Sequence, residues 1–267
     1  MDTDVSKIPV AILCGGRGTR LKEETEYIPK PLVKVGERPM LWHVMKIYHA
    51  QGFKKFVLLT GYKGEKIKEY FLTYPLQQSD FTISFSGEAT KIKYHTYPKE
   101  DWEVTVLDTG LDSQTGARVK KAEKFLNKGT FMLTYGDGVA NLRLSELLNF
   151  HRGEGRVATM TGVYPPGRFG IVEIEWARVV NFREKPDVRD GYINGGFFAL
   201  EPGVFDFLSE NPTLNFEKDV LPRLAAGSHL AIYPHAGYWQ CMDTLRDVEF
   251  LNEEWERGNA RWKIWES

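Results

Sequence analysis

Ile12-Leu13-Cys14-Gly15-Gly16-Arg17-Gly18-Thr19-Arg20-Leu21 closes a short apolar run, Val10 to Leu13, with a glycine-rich turn that carries two arginines. The apolar run reads as a buried strand. Glycines let the backbone turn tightly and bring successive N–H groups close to an anion. Arg17 and Arg20 add positive charge where those amides point. A strand that ends in such a loop can hold a di- or triphosphate, although similar turns follow first strands in α/β folds that bind nothing. Two common phosphate fingerprints are absent. No Gly-Lys-Ser/Thr ends the loop as in a P-loop, and the glycines lack the dinucleotide spacing.

Ten residues past Arg20, Lys30 stands in Ile28-Pro29-Lys30-Pro31-Leu32. Two prolines bracket it and stiffen its backbone. A rigid cation near an anion-binding loop suits the stabilisation of charge that develops in a transition state.

Beyond the loop, short apolar runs alternate with helical periodicity. Strands are expected at Val10–Leu13, Phe56–Thr60, Thr82–Ser86, Ile92–His95, Phe131–Tyr135 and Ala158–Tyr164. Helices are expected over 40–51, 65–73, 118–125 and 144–152. The second half adds a hairpin at 171–175 and 179–183, strands at 195–200 and 230–233, a helix over 216–224, and an amphipathic stretch from Thr244 to Trp262. This alternation predicts an α/β fold, a mostly parallel Rossmann-like sheet with helices on both faces, a small β extension and a C-terminal helix. No low-complexity linker or internal repeat divides residues 1–267, so one domain is expected. Ligands of open α/β sheets lie outside the carboxyl ends of the strands, so the loops after Leu13, Thr60 and Tyr135 should converge.

The 267 residues are 42% hydrophobic and 27% charged, the balance of a globular protein, and the formal net charge is -1. That charge gives no bulk attraction to nucleic acid or an anionic membrane, so neither is expected as a partner. No apolar run reaches the roughly 18 residues that span a bilayer. The polar start, Met1 to Lys7, does not read as a signal peptide, and Cys14 and Cys241 have no metal-ligand spacing. A cytoplasmic protein with free thiols follows, expected as a homo-oligomer.

Two carboxylates stand out. Asp137, in Gly136-Asp137-Gly138, projects from the end of an apolar strand, where a lone carboxylate suits Mg²⁺ or simply forms a turn. Asp243, ahead of the C-terminal helix, is a second candidate ligand and also a candidate helix cap. Glu184-Lys185-Pro186, Asn194-Gly195-Gly196 and the loop 165–170 offer charge and close backbone approach. The polar stretch Asp108 to Arg118 is either a surface turn or a reader of a base edge, with loop carbonyls as acceptors and Arg118 or the hydroxyls of Ser113 and Thr115 as donors. The six histidines fit no metal or relay pattern.

In order, Gly-Gly-x-Gly-Thr-Arg-Leu, Pro-Lys-Pro, Gly-Asp-Gly, Phe-Gly, Glu-Lys-Pro and Met-Asp-Thr resemble the sugar-phosphate nucleotidyltransferases. Longer segments at 41–46, 61–64, 108–110, 115–118, 165–170, 193–198 and 242–247 are similar to the members that join CTP to glucose 1-phosphate. The resemblance implies a nucleotide-diphospho-sugar transferase fold and a set of roles. Leu13, Gly15, Gly16, Gly18 and Thr19 would hold the nucleotide. Arg20 would hold the departing pyrophosphate, and Lys30 would stabilise the α-phosphoryl transition state. Asp137 and Asp243 would bind Mg²⁺, with Asp137 in the catalytic set. Ser113, Thr115 and Arg118 would recognise CTP, Lys185 the sugar phosphate, and Gly170, Glu184 and Asn194 the sugar. Two departures stand in these segments: Cys14 replaces a more usual alanine, and Ala117 a glycine. The implied product is CDP-glucose, for activated sugar and cell-surface polysaccharide synthesis. Rival readings are a related enzyme using another nucleotide or sugar, and a non-catalytic sugar-nucleotide-binding regulator.

Overall fold

The computed structural model describes residues 4–21, 25–86, 89–164, 171–175, 178–183 and 191–266. Among them a seven-stranded sheet is built from β1 (Pro9–Cys14), β2 (Lys55–Thr60), β3 (Glu103–Asp108), β4 (Phe131–Tyr135), β5 (Ala158–Val163), β6 (Ile193–Leu200) and β7 (Leu230–His235). Across the sheet the order is β7-β5-β6-β4-β1-β2-β3. β1 pairs in parallel with β2 and β4, β2 with β3, and β5 with β7. β6 runs antiparallel to β4 and β5, so the sheet is mostly parallel.

Both faces of the sheet are buried, and β1 shows why its run is apolar without interruption. Val10, Ile12 and Cys14 enter one core, Ala11 and Leu13 the other, as the two-residue period requires. The first core receives α1 (Met40–His49), Ile67 of α2 (Gly64–Gln78), three leucines of α4 (Leu144–Glu154), and Val248 and Leu251 of α5 (Leu245–Glu256). The second receives Val119 of α3 (Thr115–Lys121), Leu126, and Phe216, Val220 and Leu224 of a C-terminal helical turn. Helices on both faces and the antiparallel ribbon Ile171–Glu175 with Arg178–Arg183 match the expected class.

Four elements depart from the expectations above. α2 runs on to Gln78 through Pro75, because the buried Tyr74 ring stacks on Trp102 with centroids 5.6 Å apart and holds the last turn to the sheet. The helix expected over 118–125 begins earlier, at Thr115, and breaks at Ala122 into α3 and a short turn, Glu123–Leu126. The helix expected over 216–224 is a π turn, Phe216–Val220, running into an α turn, Leu221–Ala226. Strand β3 is not among the strands expected from the sequence. It lies at the sheet edge with its side chains half-exposed, which blurs its hydrophobic pattern.

The parallel topology gathers the carboxyl ends of β1, β2, β3 and β4 on one side. Tyr62 N donates to Gly15 O (3.2 Å), Thr109 N to Thr60 O (3.0 Å) and Gly136 N to Leu13 O (3.1 Å), so the four loops are mutually bonded. An antiparallel ribbon, Gly138–Ala140 with Trp239–Cys241, then ties the C-terminal segment to the end of β4.

Candidate active site

The loops after β1, β3 and β4 line a cavity of about 440 Å³, and the loop after β2 braces the first of them from behind. Leu13, Gly15, Gly16, Gly18, Thr19 and Arg20 line one side; Lys30, Asp137 and Asp243 line another; Ser113, Thr115 and Arg118 line the third. The expected convergence therefore holds for residues far apart in sequence. Gly18 has φ +62°, a left-handed conformation that lets the loop reverse, and its carbonyl accepts from Leu21 N (2.9 Å). Gly15 is required for another reason: a Cβ there would overlap the Arg118 guanidinium. At the mouth, Arg17 pairs with Asp112 (2.9 Å) across the cleft between the first loop and the Asp108–Arg118 loop.

Lys30 enters from a short helical turn, Lys30–Leu32, preceded by extended Pro29. Its Nζ lies 2.6 Å from Asp137 Oδ2 and 2.7 Å from Asp243 Oδ1, with the lysine side chain 12% exposed. Arg20 Nη1 reaches Asp243 Oδ2 at 2.8 Å. The ribbon sets this meeting: Cys241 faces Gly138, and Met242 N donates to Asp137 O (2.8 Å), so the two carboxylates leave adjacent strands side by side. Asp243 is oriented by the cap of α5. Asp247 Oδ2 accepts from Asp243 N (3.0 Å) and Thr244 N (2.8 Å) in a capping box. The helix cap is thus Thr244, and Asp243 is left free to face the cavity.

Burial disfavours the Lys30 charge, but Asp137 and then Asp243 outweigh it and hold the ammonium above the ordinary lysine range. Burial likewise opposes ionisation of Asp243, and Lys30 followed by Arg20 overcomes it, so that its carboxyl lies below the usual range. Two carboxylate oxygens within 2.7 Å of one ammonium form a cradle for a single cation. Among the described residues no cluster of three His, Cys, Asp or Glu exists. A divalent ion on this pair would therefore take its other ligands from phosphate oxygens and water, which is how Mg²⁺ is usually held.

Arg118 is 4% exposed. Its Nη1 donates to Thr60 O, Thr109 Oγ1 and Gly110 O, and its Nη2 to Gly15 O and Leu111 O, at 2.7–3.3 Å. The side chain thereby fastens the phosphate loop to the loops after β2 and β3. Two of those bonds engage Gly110 O and Leu111 O, carbonyls of the loop offered above as base acceptors. The hydroxyls are reversed too: Ser113 Oγ donates to Thr109 O (2.6 Å) and Thr115 Oγ1 to Glu217 Oε2 (2.6 Å). Their protons point into the protein, so the cavity meets them as acceptors.

Asn194 approaches through Tyr135. Its Nδ2 donates to Tyr135 Oη (3.1 Å), and its Oδ1 accepts from Gly196 N (2.8 Å). Tyr135 in turn donates to Glu217 Oε1 (2.5 Å). Burial, and then the Glu217 charge, keeps this phenol far above its usual pKa. Tyr135 and Glu217 were missed from sequence. Tyr135 reads as the last apolar residue of a strand, and Glu217 as one charge on a helix face. The expected sugar-side residues Gly170, Glu184 and Lys185 lie outside the described residues.

The nucleotidyl transferase family model matches residues 10–254. The chain belongs to this family. It is similar to glucose-1-phosphate cytidylyltransferases of Salmonella typhi and Salmonella typhimurium, at 45% identity over 96% of this chain and 98% of each relative. Among solved structures it is similar to HddC from Yersinia pseudotuberculosis complexed with GMP-PN, with a TM-score of 0.66 and 22% identity over 93% of this chain and 99% of that one. The structural likeness shows the nucleotidyltransferase fold; the family match runs across both carboxylates, Lys30 and the glycine loop.

Proposed function

We propose that the chain transfers a cytidylyl group from CTP to α-D-glucose 1-phosphate, giving CDP-glucose and pyrophosphate, as a single nucleotidyltransferase domain over residues 1–267. The observation that carries the reading is the Arg20, Lys30, Asp137 and Asp243 cluster at the mouth of a glycine loop, in a chain 45% identical to proteins that bear the name of this activity. A phosphate oxygen of glucose 1-phosphate attacks the α-phosphorus of CTP, and the bond to pyrophosphate breaks. The attacking oxygen is already anionic, so no strong general base is needed; positioning and charge neutralisation do the work.

Leu13, Gly15, Gly16, Gly18 and Thr19 bind the nucleotide with backbone amides. Arg20 neutralises the departing pyrophosphate, and Lys30 the charge that grows at the α-phosphoryl group. Asp137 and Asp243 would hold Mg²⁺, which would supply neutralisation of phosphate charge. Ser113, Thr115 and Arg118 face the base. Gly170, Glu184, Lys185 and Asn194 face the sugar phosphate. The reaction feeds the synthesis of activated sugars and cell-surface polysaccharide in the cytoplasm. No helix among the described residues is long and apolar enough to cross a membrane.

A homo-oligomer is part of this reading. The hairpin Phe81–Ser86 with Ala89–Tyr94 exposes Phe81, Ile83, Phe85 and Ile92, which the two-residue period and the Ile83–Ile92 pairing place on one face.

Pyrophosphate release with glucose 1-phosphate, measured in turn with CTP, UTP, dTTP and GTP, tests the function. CTP should be the preferred substrate. Preference for another nucleotide would move the chain to a neighbouring specificity, and no release with any would make it a binding protein.

A further inference from the structure

We infer that Glu217 is a specificity-determining positioning residue: it fixes the hydrogen-bonding polarity of the nucleotide end of the cavity and so favours cytosine over uracil. This rests on the cytidylyl-transfer reading above. Glu217 does not line the cavity, but both of its carboxylate oxygens hold hydroxyls of residues that do, Thr115 and Tyr135. A carboxylate only accepts, and a hydroxyl has one proton to give and two lone pairs.

Thr115 gives its proton to Glu217 Oε2 at 2.6 Å and receives the Phe216 N–H at 2.9 Å. One lone pair remains for a ligand. Tyr135 is in the same state, with its proton on Glu217 Oε1 and the Asn194 amide donating to its oxygen. Ser113 repeats the pattern: its proton lies on Thr109 O, and Lys121 Nζ donates to it at 3.0 Å. On the opposite sign, the two Nη atoms of Arg118 are committed to five protein oxygens. Its Nε–H makes no hydrogen bond to the described residues and remains a donor.

Acceptor-only hydroxyls together with the Arg118 Nε–H donor suit cytosine, which offers an amino donor at position 4 next to acceptors at N3 and O2. Uracil and thymine put a carbonyl at position 4, and two acceptors would then oppose each other. An unrestrained threonine could rotate its proton to meet either base. Glu217 removes that freedom.

The carboxylate is rigidly placed. The segment leading to it packs along α3, with Gln114 N donating to Pro212 O (2.7 Å) and Ala117 N to Leu214 O (3.2 Å). The π turn Phe216–Val220, widened relative to an α turn, then presents Glu217 between Thr115 and Tyr135.

Glu217→Gln keeps the shape but places an amide donor against one of the two hydroxyls. Calorimetric Kd values for CTP and UTP, and kcat/KM for each with glucose 1-phosphate, read the effect. The CTP/UTP ratio should fall about tenfold in both measurements, the scale of one mispaired polar group. Tyr135→Phe removes one of the acceptor-only hydroxyls but leaves the Glu217–Thr115 bond in place, so the ratio should fall less than in Glu217→Gln. If Glu217→Gln does not fold, Thr115→Val carries the test, because it removes the acceptor itself and must lower the ratio. A folded Glu217→Gln or Thr115→Val protein with the wild-type ratio overturns the role of Glu217, as does an equal fall in Tyr135→Phe. A wild-type protein with no preference for CTP refutes the functional reading itself, a separate result.

Discussion

Lys30 draws its importance from the two carboxylates that hold it. In the ligand-free chain it balances Asp137 and Asp243 at once, at 2.6 and 2.7 Å. Its target in the proposed reaction is charge that appears only as pyrophosphate departs. Lys30→Ala should therefore lower kcat by on the order of 10² to 10³ while leaving the KM for CTP within a few-fold. Steady-state kinetics at saturating glucose 1-phosphate separates the two parameters. A change confined to KM would make Lys30 a ground-state binding residue.

Several elements act as fasteners for residues they do not themselves contain. Helix α3 reaches back through Arg118 to the phosphate loop and to the loops after β2 and β3. Arg118→Met would leave several buried carbonyls without donors, each costing about 1–3 kcal/mol. It should lower the melting temperature and weaken CTP binding together, with little change in the glucose 1-phosphate KM. Loss of CTP affinity at unchanged thermal stability would show that Arg118 serves the ligand alone. The cap of α5 works the same way on Asp243. Asp247→Ala removes acceptors for the Asp243 and Thr244 amides and half of the capping box. A stability loss of about 1–2 kcal/mol by chemical denaturation is expected. Mn²⁺ affinity should drop as well, because Asp243 loses its orientation. Unchanged Mn²⁺ binding would separate the cap from the carboxylate pair.

Across the whole molecule, the first core closes over a neutral histidine. His43 is 0% exposed; its Nε2–H donates to Val35 O (2.9 Å) and its Nδ1 accepts from Trp262 Nε1 (3.3 Å). Burial pushes its pKa down to about 4 from the ordinary 6.5. The unfolded chain therefore binds a proton between pH 6.5 and 4 that the folded chain refuses. Stability should be complete above pH 6.5 and fall by about 3 kcal/mol as the pH drops to 4. Denaturation midpoints across that range should show this slope, and His43→Gln should flatten it; equal slopes in both proteins would refute the assignment. The exposed hairpin Phe81–Ser86 with Ala89–Tyr94 is the proposed assembly surface. Sedimentation should give a mass above the 30.6 kDa of one chain, and Phe85→Glu, which puts a charge on an 80% exposed ring, should shift it toward the monomer. A monomeric wild type would leave the patch to another partner.

The sequence by itself determined the fold class, because uninterrupted apolar runs such as Val10–Leu13 mark strands buried on both faces and apolar residues at helical spacing mark the helices between them. It also singled out Lys30 between two prolines, Asp137 between two glycines and Asp243 in an aromatic and apolar stretch, contexts unusual for solvated charges. It did not separate β3, an edge strand whose half-exposed side chains leave a weak pattern. Nor did it find Glu217, since a glutamate on a helical turn looks the same whether it faces water or two buried hydroxyls. Hydrogen-bond direction was likewise decided only in three dimensions. Ser113 and Thr115 carry hydroxyls that can give or accept, and only the carbonyl and carboxylate packed behind them settle that they accept. Periodicity and turn chemistry are local and survive in a linear chain. The polarity of a site depends on partners that the chain brings together from about 100 residues away.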